Sequence, residues 1–159
     1  MDVVSGHADQ DRPLGSYVAL MGAFGALSAA GLAAAARGER LPDRIGVGDL
    51  ALGAVASYKV SRLLAKDRVT AGLRAPFTRF QEDSGHGEVE EAARGSGLRR
   101  AIGELLICPN CLGQWVAAGF TAGLLVAPRA TRTVSAMFAV YAAADALQLL
   151  HSAGKSKAG

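Results

Sequence analysis

The sequence is poor in charge, aromatic residues and cysteine, and each shortage excludes a class of protein. Only 19% of its 159 residues are charged while 50% are hydrophobic, which excludes a disordered tail. Two cysteines are too few for the disulfide framework of a small secreted domain. The net charge of +3 comes from basic residues scattered beside acids with few aromatics, so nucleic-acid binding is not expected. The composition is that of a membrane protein.

Two uncharged stretches are long enough to cross a bilayer as helices. Residues 14–36 and residues 105–127 contain no charged side chain. At a rise of about 1.5 Å per residue, each exceeds a hydrocarbon thickness of about 30 Å. The acidic lead before residue 14 lacks the basic start of a signal peptide, which favours a retained helix. Both stretches are therefore predicted to be transmembrane helices.

Two further stretches, residues 46–65 and residues 134–150, are apolar but carry charges. Each charge at the bilayer centre would cost roughly 2.5–3.5 kcal/mol on insertion scales, so these side chains must lie near a helix end or find a partner. With these stretches, the prediction is an all-α bundle of about four transmembrane helices. The charges within them are Asp49, Lys59, Arg62 and Asp145.

The buried charges are predicted to meet near the cytoplasmic end of the bundle. If the second helix runs inward and ends near residue 65, Lys59 lies roughly 9 Å from that end, and Asp145 lies at a similar depth. Asp145 is expected to pair with Lys59 or Arg62, either as a link between two helices or as part of a proton or ligand path. The predicted cluster also contains Glu104, Cys108 and Cys111.

The distribution of Lys and Arg sets the predicted orientation. Ten of them lie in the N-terminal lead, the long loop after the second helix and the tail, against five on the other side. The positive-inside rule therefore places both termini and this loop in the cytoplasm. The acidic middle of the loop, residues 81–91, is expected to be solvated and mobile. The predicted organisation is a cytoplasmic lead (1–13), transmembrane helices 1 and 2 (14–65), a cytoplasmic loop with short interfacial helices (66–104), transmembrane helices 3 and 4 (105–150) and a cytoplasmic tail (151–159).

The segment Cys108-Pro-Asn-Cys111 is the motif most able to carry chemistry. Proline suits the first position of a helix because its missing N–H is no loss there, which makes Cys108 the N-cap. A Cys108 thiolate would then accept the backbone N–H of Cys111 and lie at the positive end of the helix. Because no βαβ pattern surrounds the motif, two interpretations remain open: thiol–disulfide chemistry, and a packing role at the helix start.

No cofactor is expected, and a metal site at the two cysteines is the alternative. Cys108 and Cys111 supply half of a tetrahedral zinc site, and zinc or iron there would need further ligands from a histidine or from a second copy of the chain. Each histidine is otherwise expected to be solvent-exposed. The histidines are His7, His86 and His151.

Two motifs, residues 57–74 and residues 104–115, together resemble the small bacterial membrane proteins grouped as domain of unknown function 1360, some of which carry a sporulation label. The resemblance covers roughly residues 49–150 and implies a multi-pass protein of the bacterial cytoplasmic membrane with no established activity. Lys59 stands where an arginine is expected, and Asn110 where an aromatic residue is common. The positions that the resemblance marks are Arg62, Asp67, Arg74, Cys108, Pro109, Cys111, Gly113 and Trp115, and Glu104 opens the second motif.

These observations favour a non-enzymatic membrane component, an assembly or interaction protein whose cytoplasmic face is organised by the CPNC turn and the buried charges. One alternative is a thiol redox or metal-binding membrane protein that uses the cysteine pair. A second is a small dimeric transporter in which Lys59, Arg62 or Asp145 faces a water-filled path. The expected partners are the lipid bilayer and either a second copy of the chain or another membrane protein.

Overall fold

The computed structural model describes residues 13–38, 41–42 and 44–158. These residues are mostly helical and contain one small two-stranded antiparallel sheet. The elements in chain order are α1 (Leu14–Arg37), α2 (Val47–Lys66), α3 (Ala71–Arg74), β1 (Thr78–Gly85), β2 (Glu88–Ala93), α4 (Gly97–Ile107), α5 (Pro109–Val126) and α6 (Pro128–Ala158).

The chain divides into two compact units. The hairpin unit comprises the described residues up to 30 together with residues 64–112, and so contains α3, the two strands, α4 and the CPNC turn. The helical unit comprises the described residues of 31–63 and 113–158, and so contains most of α2, most of α5 and all of α6.

Two helices are long and apolar enough to cross a membrane: α1, with 24 residues, and the stretch Pro128–Lys155 of α6, with 28. Helices α4 and α5 pass the same test only as a pair, and the chain bends by 83° between them, at Cys108. Helix α2 is less apolar because Asp49, Lys59 and Arg62 lie within it. By length and composition, the described residues thus hold two spans, or three if the bent pair counts as one, and a total of four stays a prediction.

The all-α prediction is wrong in the middle of the long loop, where β1 and β2 form a hairpin in place of the mobile segment expected there. Its turn requires positive φ at Gly85 (83°), His86 (51°) and Gly87 (80°). The two glycines adopt this conformation at no steric cost. Glu and Asp are depleted in strands, so the acidic sequence gave only a weak strand signal. Basic residues that precede the hairpin in sequence pair with it and offset its charge.

Helix α4 packs closely on the hairpin because Gly103 has no side chain. A Cβ atom at this position would lie 2.5 Å from the carbonyl oxygen of Phe77 and 3.0 Å from Cβ of Ala93. Nearby, Val89 and Ala101 are almost completely buried and form part of the core of the hairpin unit. The small residues thus let a short helix and two short strands form a folded unit with little apolar volume.

Candidate functional site

The hairpin unit is organised around Arg74, whose side chain is 1% exposed. Its guanidinium donates hydrogen bonds to Oε2 of Glu91 (2.6 Å) and to Oγ1 of Thr70 (2.8 Å). It also donates to the main-chain carbonyls of Leu64 (2.7 Å) and Asp67 (3.0 Å). The last carbonyls of a helix lack partners within the helix, and an arginine side chain can supply them. Arg74 therefore caps the end of α2 and joins it to strand β2.

Asp67, a second position that the resemblance marks, holds the turn that follows α2. Its Oδ1 accepts the backbone N–H of Val69 at 2.8 Å, the pattern of an Asx turn. Its carbonyl accepts the hydroxyl of Thr70 at 3.0 Å in addition to the guanidinium of Arg74. Asp67 also forms a β-bridge with Glu88. Asp67 and Arg74 thus act together in one structural turn.

Two ion pairs join basic residues around this turn to the acidic hairpin. Lys66 Nζ lies 2.7 Å from Oε2 of Glu90, and Arg68 Nη2 lies 2.7 Å from Oδ1 of Asp83. The Arg68–Asp83 pair is about 60% exposed on both sides, so it contributes at most about 1 kcal/mol. The buried Arg74–Glu91 pair has a different role, because loss of either partner would leave an uncompensated buried charge.

An open groove of about 510 Å³ runs beside β1 in the hairpin unit. Ala71, Gly72 and Ala75 line one part of it, while Phe80 and Val89 supply larger apolar side chains. Phe80 is 61% exposed, although it is one of the few aromatic residues of the chain. This groove and the strand beside it form an open, partly apolar surface in the hairpin unit, which we call the β1 surface.

The CPNC turn forms the break between α4 and α5. Cys108 and Cys111 are paired as a disulfide, with their Cα atoms 5.3 Å apart. Helix α5 begins at Pro109, and the backbone N–H of Cys111 donates to Sγ of Cys108 at 3.2 Å. The carbonyl of Cys108 accepts the N–H of Leu112 at 3.0 Å. The predicted N-cap geometry is confirmed, whereas a chemical role for the pair stays a prediction.

Glu104 lies on α4, one helical turn before Cys108. Its carboxylate accepts hydrogen bonds from the hydroxyl of Tyr17 on α1 and from Nε of Arg100, the latter at 3.0 Å. These two contacts hold the carboxylate and tie the start of α1 to α4 within the hairpin unit. The link to Tyr17 was not predicted from the sequence.

In the helical unit, Lys59 of α2 and Asp145 of α6 form the ion pair that the depth argument predicts, with Nζ and Oδ2 2.9 Å apart. The Lys59 side chain is 8% exposed, and its Nζ lies 4.2 Å from the ring centroid of Tyr141, within range of a cation–π interaction. Arg62 lies one turn further along α2. It is half-buried and also has an interaction partner. The pair links two helices of this unit, and its functional role stays a prediction.

A second ion pair joins the same two helices near their N-terminal ends. Arg132 donates through Nε and Nη2 to both carboxylate oxygens of Asp49, at 2.8 and 2.7 Å. This bidentate geometry is the strongest arrangement of an arginine and a carboxylate. Sequence reasoning missed the pair, because Arg132 lies before residue 134, where the fourth predicted helix begins.

The remaining marked positions lie at the start of α5. A Cβ atom on Gly113 would lie 3.6 Å from Oγ of Ser61, an ordinary van der Waals contact, so α5 passes beside α2 at this position in the helical unit. Trp115 is half-buried and also has an interaction partner.

The six residues predicted to form one cluster divide between the two units. Lys59, Arg62 and Asp145 belong to the helical unit, whereas Glu104, Cys108 and Cys111 belong to the hairpin unit. A single cluster of all six stays a prediction.

No group of three or more His, Cys, Asp or Glu side chains among the described residues could hold a metal ion. His86 is exposed at the hairpin turn, and His151 is exposed on α6. His7 lies outside the described residues. A metal shared by Cys108 and Cys111 across two copies of the chain therefore stays a prediction.

These features define a mostly helical protein with at least two helices apolar enough to cross a membrane and a small, internally ion-paired hairpin unit. Residues 52–151 match the family described as "Protein of unknown function (DUF1360)", and the chain belongs to that family. The match includes the Asp67–Arg74 turn and the CPNC turn, so both motifs that carry the resemblance lie within the matched residues.

One curated relative is "Sporulation protein YjcA" of Bacillus subtilis (strain 168). It is 31% identical over 106 residues, which cover 65% of this chain and 90% of the relative. No solved structure matches the chain.

Proposed function

We propose that this chain is a four-span protein of the bacterial cytoplasmic membrane and serves as a non-enzymatic assembly or interaction component. In this proposal the four spans are α1, α2, the stretch of residues 105–127 that contains α5, and α6. Both termini and the loop of residues 66–104, which holds the two strands and most of α4, face the cytoplasm, as the positive-inside rule favours. The partner is a second copy of the chain or another membrane protein.

The distribution of apolar and charged residues supports the membrane part of the proposal. Large apolar side chains on the two longest apolar helices are exposed, among them Met21 (73%) on α1 and Val140 (70%) on α6. A lipid bilayer covers such surfaces. Two of the charges of α2 are paired, Lys59 with Asp145 and Asp49 with Arg132, which lowers the cost of inserting this helix.

The β1 surface is the observation that carries the interaction role. Seven of the eight residues of β1 are exposed, and the open groove beside it is lined by Phe80 and small apolar side chains together with charged residues, Arg68, Asp83 and Glu91. A strand at the edge of a sheet offers unpaired backbone groups, and an exposed apolar groove beside it favours contact with another protein. The name of the relative extends the proposal: the complex formed by this chain takes part in sporulation.

The test is isolation of the full chain from bacterial membranes in a mild detergent, with the mass of the complex measured by light scattering. We expect a defined homo-oligomer or a stoichiometric complex with one membrane protein. Phe80→Ser should weaken it at least about tenfold, whereas the matched change Gln81→Ser, at the next position of the exposed strand, should not. A monomeric chain, or equal behaviour of the two variants, would contradict this role of the β1 surface.

The transporter hypothesis is a second candidate, for which the buried position of Lys59 is the supporting feature. Ion-coupled uptake by vesicles that contain the chain, lost on Asp145→Asn, would favour it. Uptake that survives this substitution would remove the reason for assigning a transport path to the pair.

A further inference from the structure

We propose that Cys108 and Cys111 form a thiol–disulfide exchange site in which an incoming thiolate attacks Cys111 and Cys108 is the leaving thiolate. This chemistry is independent of the assembly role, because it depends on the CPNC turn and not on the β1 surface. The substrate class is a thiol compound, either a protein dithiol or a low-molecular-weight thiol.

The two sulfurs differ in their hydrogen bonding. Sγ of Cys108 accepts the N–H of Cys111 at 3.2 Å, and Cys108 is the N-cap of a helix of 18 residues. That N–H is one of the donors that a helix leaves without a partner at its start. A negative charge on Cys108 is therefore stabilised by a hydrogen bond and by the positive end of α5. In disulfide exchange, the better-stabilised thiolate is the better leaving group.

The two cysteine residues also differ in accessibility. Cys111 is exposed, whereas Cys108 is half-buried. An attacking thiolate must reach the sulfur that it joins, so access favours attack on Cys111. Accessibility and leaving-group stability thus select the same direction of reaction. The order is the reverse of that at a site where the first cysteine of the pair is the exposed one and is attacked.

The surroundings do not oppose a thiolate at Cys108. The first turn of α5 contains no acidic residue. The nearest acidic residue in sequence is Glu104, and the carboxylate of Glu104 is held by the hydroxyl of Tyr17 and by Arg100. Neutral Pro109 and Asn110 separate the two cysteines.

The exchange is balanced as follows. A thiolate of the substrate attacks Sγ of Cys111, the S–S bond breaks, and its electron pair leaves on Sγ of Cys108. A second substrate thiolate then attacks the substrate sulfur of the mixed disulfide and releases Cys111. The cysteine pair gains two electrons and the two substrate protons, and the substrate becomes a disulfide. The 159 residues contain no third cysteine, so the exchanging thiol comes from another molecule.

The test uses the purified, oxidised full chain in detergent. The chain is mixed with reduced glutathione, quenched in acid, blocked with N-ethylmaleimide and analysed by peptide mass spectrometry. We expect glutathione on Cys111 and maleimide on Cys108, in excess over the reverse labelling by about fivefold, the ratio that one helix-cap hydrogen bond supports. In urea, where α5 is unfolded, the ratio should fall to about one.

A thioredoxin variant that lacks its resolving cysteine serves as the protein-thiol probe and should be captured on Cys111. Capture of this probe together with glutathione labelling supports a site open to small thiols, whereas capture of the probe alone supports a protein substrate. The proposal is overturned by labelling mainly on Cys108, by reaction of the unfolded chain only, or by purified chain that holds stoichiometric zinc on reduced cysteines.

Discussion

At the scale of single residues, the structure explains why an arginine occupies position 74. The guanidinium reaches four acceptors that belong to the end of α2, to the turn and to β2. Lysine offers three donors from one point and lacks the planar geometry that spreads them. A buried arginine that holds a carboxylate and two helix-end carbonyls thus links three chain segments.

We predict that Arg74→Lys destabilises the chain and that Arg74→Ala does so more strongly, by about 3–5 kcal/mol, because Glu91 would be left as a buried charge without a partner. The free energy of unfolding of the full chain in detergent is the quantity to measure. The double variant Arg74→Ala/Glu91→Ala should lose less than the two single losses added together, since the two side chains are coupled.

The control for this prediction is Arg79→Lys on β1, which exchanges the same residue types at an exposed position. It should change the free energy of unfolding by less than about 0.5 kcal/mol. If Arg74→Lys were as mild as Arg79→Lys, the four hydrogen bonds of Arg74 would not support the fold.

At the scale of elements, the contact between α4 and the hairpin depends on Gly103. We predict that Gly103→Ala destabilises the chain by about 1–3 kcal/mol, because the new methyl group would meet the main-chain carbonyl of Phe77, which cannot rotate away. Thermal unfolding of the full chain, followed by the loss of helical circular dichroism, measures the effect.

Gly119 is the matched control because it also lies within a helix, and a Cβ there would have no atom within 4 Å. Gly119→Ala should be neutral, or stabilising by up to about 1 kcal/mol from the higher helix propensity of alanine. Equal effects of the two substitutions would show that helix propensity, and not the close approach to the hairpin, determines the role of Gly103.

The elements that the sequence predicted well are those with a strong local signal. An uncharged stretch predicted over residues 14–36 is helix Leu14–Arg37, and Pro109 starts α5 as its missing N–H indicates. The hairpin had a weak local signal, because Glu and Asp disfavour strands when considered alone. Only the glycines around His86 indicated its turn.

The ion pairs of the candidate site also differ in how well the sequence could predict them. The pair of Lys59 and Asp145 was predictable because helix geometry converts sequence position into depth. The bond between Arg74 and Glu91 was not, because it joins residues 17 positions apart through a hairpin that had not been predicted. Long-range pairing of charges depends on the fold, so it can be predicted only once the strands are known.

At the scale of the whole molecule, the number of spans and the location of the termini are linked by parity. With α2 as a span, the chain crosses the bilayer four times and both termini lie on the same side. Without it, the other three proposed spans remain and the termini lie on opposite sides. Whether α2 crosses the bilayer therefore determines on which sides the termini lie. The free-energy cost of burying its charges determines whether it crosses.

We predict that fluorescent and alkaline phosphatase reporters place both termini of the wild-type chain in the cytoplasm. Asp145→Leu should shift a fraction of chains to a form with termini on opposite sides, or remove them by degradation, because it leaves Lys59 in the bilayer without its partner. Lys59→Leu/Asp145→Leu should restore the wild-type pattern, since neither charge remains to be buried.

Gln148→Leu is the control, because it replaces an exposed polar side chain on the same helix and breaks no ion pair. If Asp145→Leu behaved like Gln148→Leu, the ion pair would be dispensable for insertion of α2. If the wild-type termini lay on opposite sides, α2 would not span the bilayer, and its paired charges would instead mark a helix that lies outside the hydrocarbon core. If the double variant restored the wild-type pattern and Asp145→Leu did not, the topology would depend on the Lys59–Asp145 pair.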